Sequence, residues 1–177
     1  LKGYGKDIEK SRAEAKKLLA DAGHAGMKLD FSNRGVDQPY KIVGTWLVDQ
    51  WRKVGVAADQ RVQPSGPFYD TLRKTKDFDV SIDFNCQAVI DPVADISKFL
   101  PTSGSNFTSF EDAELETLYQ QIEKEGDNAK LRALIRKYET RAISDTASMM
   151  ITLWWYKINA YRSYVKGWKI APSHYLA

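Results

Sequence analysis

The chain has 177 residues, 43% of them hydrophobic and 28% charged, enough for one domain with a sizeable core and too apolar for a disordered segment. Lys and Arg number 26 against 23 Asp and Glu with the signs interspersed, so there is no basic footprint for a phosphate backbone and no nucleic acid partner is expected. Cys86 is the single cysteine, which excludes an internal disulfide and a cysteine-rich metal site.

No apolar run approaches the roughly 20 residues that span a bilayer, and the opening LKGYGKDIEK is not a signal peptide. The chain starts without methionine and opens and closes in mid-pattern, which reads as a piece of something longer.

The first predicted element is a helix with a capping box from Ser11 to Glu14, its apolar face carried by Ala15, Leu18, Leu19 and Ala22. Gly23 and Gly26 stop it, glycine tolerating the positive φ of a helix C-terminus. MKLDFSN alternates Met27, Leu29 and Phe31 against Lys28, Asp30 and Ser32, which predicts a strand ending in the polar loop NRGVDQ. Pro39 suits a first helical turn, and Val43, Trp46, Leu47, Trp51 and Val54 form one apolar stripe before Gly55. A strand from Val56 to Val62 follows, then a short helix from Pro67 carrying Phe68 and Leu72.

KDFDVSIDFNCQAVIDP alternates Phe78, Val80, Ile82 and Phe84 as a strand, then breaks into Asn85, Cys86 and Gln87. In an open α/β sheet the crevice outside the carboxyl ends of the strands is where ligands sit, so residues 85–91 form a candidate binding rim. Two helices are predicted next, one with Leu115, Leu118 and Ile122 and one with Leu131, Leu134, Ile135 and Tyr138, divided at Gly126 and Asp127. MMITLWWYKINAYR, rich in β-branched and aromatic residues, predicts one long strand or two short ones. The order strand, helix, strand, helix, strand from Met27 points to a layered α/β unit with some parallel pairing.

Signs of catalysis are weak. His24 and His174 lie at opposite ends of the chain, outside ligand spacing of any other His or Cys, and nothing marks a base beside Cys86. Asp77, Asp79, Asp83, Asp91 and Asp95 make a dense acidic stretch whose spacing matches no metal loop, and Asp79 and Asp83 fit a wet sheet face. GxGxxG, GxxxxGK[ST] and GxSxG are all missing. A binder without cofactor or metal is expected rather than an enzyme.

Taken together, SRAEAKKLLADAG, MKLDFSNRG, YKIVGTWLVDQWRKVGVAADQRV, FYDTLRKTKDFDVSIDF, IDPVADISKFL, the helix pair and MITLWWYKINAYRSYVKGW resemble the extracellular solute-binding proteins of peptide, opine and nickel ABC importers. The resemblance covers nearly the whole chain. It implies one lobe of a two-lobe, periplasmic-binding-protein-like (type II) α/β fold, a mixed sheet flanked by helices, with 1–162 as the second ligand-binding lobe and 163–177 returning toward a missing amino-terminal lobe. It also implies a periplasmic or lipid-anchored parent that captures a small solute and delivers it to a membrane permease.

In that family the loop before the DP dipeptide helps line the pocket, so Asn85, Cys86 and Gln87 are candidate ligand-binding residues. Oligopeptide-binding members carry there a Trp and, three residues later, an Asp that grips the peptide's free amine. This chain has Asn85 and Ala88, losing a charge-assisted bond worth roughly 1.5 to 3 kcal/mol and pointing to a different small ligand. Arg34, after the first strand, offers a planar five-donor fork for a ligand carboxylate. Trp154 and Tyr156 share one side of their strand and Leu153 and Trp155 the other, so that one pair faces the cleft and the other the core, and Trp154 and Tyr156 are further candidates. Two other readings stay open: a ligand-sensing domain of a regulator with the same fold, and a metal-dependent hydrolase built on the acidic stretch.

Overall fold

The computed structural model describes residues 5–85, 91–153 and 160–167. They fall into two compact units, Leu1–Asn85 and Cys86–Ala177, where length alone predicts one. Each has its own buried cluster.

The first unit begins with α1, Ile8–Asp21. Its cap is Asp7, whose carboxylate accepts from the Lys10 amide at 3.0 Å, and not the expected Ser11, which lies one turn inside and donates its hydroxyl to the Asp7 carbonyl at 3.0 Å. A carboxylate there satisfies an orphan amide and also faces the positive end of the helix dipole. Gly23 follows with φ 75°, the conformation the sequence predicts for the stop.

Strands β1 (Lys28–Arg34), β2 (Ala57–Gln63) and β3 (Val80–Ile82) form a sheet of order β2-β1-β3. Both pairings are parallel, with Asn33 opposite Val62 on one side and Ile82 on the other. The expected strand over 78–84 is in the sheet but shorter, and among the described residues the expected mixed sheet shows parallel pairing only. Parallel pairing requires crossovers, supplied by α2 (Ile42–Lys53) and α3 (Ser65–Asp70).

These helices cover opposite faces of β1. Phe31 meets the Trp51 ring of α2 edge-on at 5.2 Å. Asn33, on the same face, lies against Gly44, where an added Cβ would come within 1.8 Å of Asn33 Nδ2. On the other face Ser32 donates to Gln63 Oε1 at 3.1 Å, and Gln63 Nε2 donates to Thr71 Oγ1 at 3.2 Å, just past α3. Covered on both sides, Phe31, Ser32 and Asn33 are all 0% exposed. The predicted apolar stripe of α2 shifts accordingly. Gly44 and Leu47 face inward, whereas Trp46 is 56% exposed, because the helix approaches the strand through a residue without a side chain.

In the second unit, α4 (Pro92–Ile96) precedes the hairpin of α5 (Ala113–Lys124) and α6 (Asn128–Thr140). Leu115, Ile122, Tyr138 and Ala142 are buried together, with Leu118, Leu131, Leu134 and Ile135 packed around them. Both faces are core, as the periodicity predicts. Asp112 caps α5 by accepting from the Leu115 amide at 2.9 Å, and the same carboxylate accepts from Arg141 Nη2 at 2.7 Å. One side chain therefore ties the start of α5 to the end of α6. The described parts of the 149–162 stretch contain no strand.

Candidate functional site

The order β2-β1-β3 reverses direction at β1. The chain leaves β1 for β2 on one side and returns to β3 on the other. Helices on opposite faces leave a crevice at such a switch point, outside the carboxyl ends of the two strands. Arg34 is the last residue of β1, and Asp83 directly follows β3.

These two residues are joined through α3. Arg34 Nε donates to Ser65 Oγ at 2.9 Å, and Arg34 Nη1 donates to the Tyr69 hydroxyl at 3.4 Å. The Tyr69 hydroxyl in turn donates to Asp83 Oδ1 at 3.2 Å. The Arg34 guanidinium lies 5.2 Å from the Tyr40 ring centroid and 5.3 Å from that of Tyr69, within cation-π range of both. Arg73 approaches the Tyr69 ring at 4.9 Å, and Phe84 leans on Tyr40 at 6.3 Å.

Electrostatics follow from this enclosure. Burial pushes the Asp83 carboxyl above its usual range, opposed by the Phe84 backbone amide, the Tyr69 hydroxyl and the charges of Arg34 and Arg73. Burial raises the Tyr69 phenol as well, helped by the neighbouring Asp83 charge and opposed by Arg34. Arg34 is partly buried and has no ion-pair partner among the described residues. Of its five N–H donors, two are used by Ser65 and Tyr69. What the arrangement offers is a fixed, positively charged donor fork between aromatic walls.

Of the residues singled out in the sequence, Arg34, expected in the loop after the first strand, is instead the last residue of β1, and Asn85 lies three residues past β3, so both belong to the carboxyl edge of the sheet. Cys86, Gln87, Trp154 and Tyr156 lie outside the described residues. Sequence reasoning missed Tyr40, Ser65, Tyr69 and Asp83. Asp83 does face away from the apolar positions of its strand, as expected; Tyr69 partly covers it, whereas Asp79 on the same side is exposed. The available signal was the position of Asp83 at a strand's carboxyl end.

The rest of the acidic stretch is distributed over separate partners. Arg61 pairs with Asp30 at 2.6 Å and with Asp77 at 3.1 Å. Asp79 accepts from the Asp30 amide at 2.7 Å, Asp91 caps α4, and Asp95 pairs with Lys98 at 3.2 Å. An open hollow of about 270 Å³ lined by Val48, Arg52, Gly55, Val56, Ala57 and Ala58 lies at the amino end of β2, away from this cluster.

This open parallel α/β sheet, with a charged cluster at its switch point, has the periplasmic-binding-protein fold. Superposed on the murein tripeptide-binding protein MppA of Escherichia coli it gives a TM-score of 0.72 at 20% identity, over 77% of this chain and 27% of that one. OppA of Burkholderia pseudomallei gives 0.70 at 18% identity, over 80% and 28%. DppA from Helicobacter pylori, solved in complex with the peptide STSA, gives 0.65 at 17% identity, over 80% and 28%. In sequence the chain is 28% identical over 171 residues to the periplasmic oligopeptide-binding protein OppA of Escherichia coli (strain K12), covering 93% of this chain and 30% of that protein. The chain is thus similar to a periplasmic oligopeptide-binding protein in sequence and shares the fold of such proteins, and it spans about 30% of the length of the curated relative it matches. No protein-family model matches the chain.

Proposed function

We propose that the chain is part of the substrate-binding component of an ABC importer, which captures a small solute in a cleft between two lobes and delivers it to a membrane permease. No bond is made or broken; the chemistry is recognition. Residues 1–162 serve as the second ligand-binding lobe and 163–177 as a return toward the first. The parent is periplasmic or lipid-anchored outside the cell. Arg34, Asn85, Cys86 and Gln87 supply the rim, with Trp154 and Tyr156 completing it. The observation that carries this reading is the Arg34–Tyr69–Asp83 cluster at the β1/β3 switch point, in a fold shared with peptide-binding relatives.

A thermal-shift screen of the parent polypeptide against short peptides and small organic solutes tests it. A solute at a hundred times its dissociation constant adds about 2.7 kcal/mol of stability, an easily read rise in Tm. A screen with no stabilising solute would remove the proposal.

A further inference from the structure

We propose that the exposed face of α6 is a docking surface for anionic phospholipid headgroups. The inference goes beyond solute capture and takes from that reading only the membrane to which a captured solute is delivered. Three observations carry it.

The first is the concentration of charge. Leu131, Leu134, Ile135 and Tyr138 turn one side of α6 toward the core of its unit. At about 100° per residue the other side carries Lys130, Arg132, Arg136 and Lys137, all four exposed. Between these cations stand only Ala129, Ala133 and Thr140, and Glu139, the one acid within the helix, lies at the edge of the face.

The second is that the charges are unpaired. Lys17, Lys53, Lys74 and Lys98 each hold an aspartate about one turn away, at 2.6 to 3.2 Å. The side chains of Lys130, Arg132, Arg136 and Lys137 have no such partner among the described residues. Asp127, three residues before Lys130, is engaged as the cap of α6, accepting from the amides of Ala129 and Lys130. Elsewhere the positions from which an acid would reach these cations hold Asn128, Ala129, Ala133 or a like charge: Arg132 stands four residues before Arg136, and Lys137 four before Arg141. Like charges at that spacing destabilise a helix, a cost that an anion outside the chain relieves.

The third is what the face lacks. Among the described residues no large apolar side chain of α6 is exposed. Protein interfaces centre on aromatic or aliphatic anchors that fill a partner's pocket, and this face offers none. Adsorption on headgroups needs no anchor. The long stems of Lys and Arg bend past the small alanines, so cations on both flanks of the helix reach one plane of negative charge. The phosphates of a bilayer form such a plane, whereas an acidic protein patch would have to match both flanks in register. Contact of this kind is reversible and screened by salt, which suits a component that visits a membrane and leaves it.

The test is co-sedimentation of the chain with vesicles of phosphatidylcholine alone and of phosphatidylcholine containing about one third phosphatidylglycerol, at low and high salt. The chain is expected to bind the anionic vesicles only and to be released as salt rises. Each cation removed should weaken binding about fivefold, so Arg132→Gln with Arg136→Gln, and separately Lys130→Gln with Lys137→Gln, should each weaken it about twenty-fivefold. Glutamine is as good a helix former as the residues it replaces. Lys10→Gln with Lys16→Gln, at exposed positions of α1, lowers the net charge equally and should change binding by less than about twofold. Failure to bind anionic vesicles, equal binding to neutral ones, or binding kept by both α6 pairs overturns the proposal. An equal loss from the α1 pair overturns it too, showing attraction by net charge alone. Polyglutamate held more tightly than the anionic vesicles would assign the face to an acidic protein and overturn the lipid. Failure on vesicles leaves solute capture standing, since the thermal screen reads it independently, and an empty screen removes solute capture without touching the vesicle result.

Discussion

The two units of this chain bury different chemistry. Among the described residues the fully or nearly buried polar side chains, Ser32, Asn33 and Thr71, all lie in the sheet unit, whereas the cluster buried in the helical unit is Leu115, Ile122, Tyr138 and Ala142. In the helical unit Asp112, at the start of α5, pairs with Arg141 at the end of α6. Close-packed helices need only an apolar stripe, and their backbone bonds are internal. A parallel strand covered on both faces must bury whatever sits at its carboxyl end. In β1 that end is polar, and it leads to Arg34. The difference separates a unit that buries apolar side chains from one that buries polar side chains next to the proposed rim.

Truncating Phe31 to Ala breaks the sheet unit most severely. Phe31 is 0% exposed and carries the contact with Trp51, so the loss is about 3–5 kcal/mol in urea denaturation. A cost under about 1 kcal/mol would mean that the β1–α2 contact does not organise that unit.

Glycines sharpen the contrast. Gly44→Ala forces a methyl to within 1.8 Å of Asn33 Nδ2 and should cost about 1–3 kcal/mol, whereas Gly126→Ala, with nothing within 4 Å, should be neutral or stabilise by up to about 1 kcal/mol. Paired melting curves check both, and equal effects would remove the close helix–strand approach.

Two aspartates give opposite responses to pH. Hydrogen bonding to Arg141 lowers the Asp112 carboxyl below 3.8, so its contribution is present above that value and is lost as pH falls through the folded-state pKa. Burial raises Asp83, so its contribution is complete below 3.8 and is lost as pH rises through the folded-state pKa. Asp112→Asn should therefore flatten the acid side of the stability curve, and Asp83→Asn should relieve a loss seen toward neutrality. Denaturation midpoints from about pH 3 to about pH 7 distinguish them, and slopes of the same sign would overturn the assignment of burial to Asp83 alone. Asp112→Ala additionally loses the α5 cap, about 0.5–2 kcal/mol.

Tyr138→Phe should matter least. Burial pushes that phenol up to about 12, and its hydroxyl meets the Ile96 carbonyl only at 3.5 Å, so the change should lie within about 1 kcal/mol by thermal melting. A larger loss would reveal a polar anchor in the otherwise apolar core.

Much of the fold was legible because it rests on periodicity. The stripes of α5 and α6 announce which face is buried, whereas the alternation of Met27, Leu29 and Phe31 marks only one of the two buried faces of β1, Ser32 on the other being equally enclosed. Where packing replaced periodicity, the reading slipped. Trp46 belongs to the apolar stripe by spacing, yet α2 turns Gly44 inward. Ser11 fits a capping box, yet Asp7 stands one turn earlier. Near the proposed rim, the sequence placed Arg34 just after the first strand, and it is that strand's last residue. Tyr69 and Asp83 were not, because their meeting depends on α3 crossing the sheet on a face that the alternation of one strand marks only as polar.

The Tyr69 hydroxyl carries a single hydrogen, and it goes to Asp83. Its oxygen is left with lone pairs only toward Arg34, so the phenol works as a one-way valve, accepting from the cation and donating to the anion. A protonated Asp83 keeps a carbonyl oxygen that still accepts this hydrogen, so the direction of the phenol survives either charge state of the carboxyl. The guanidinium at the tip of β1 and the carboxyl at the tip of β3 are thereby linked through one oxygen, although the two never touch in an ion pair.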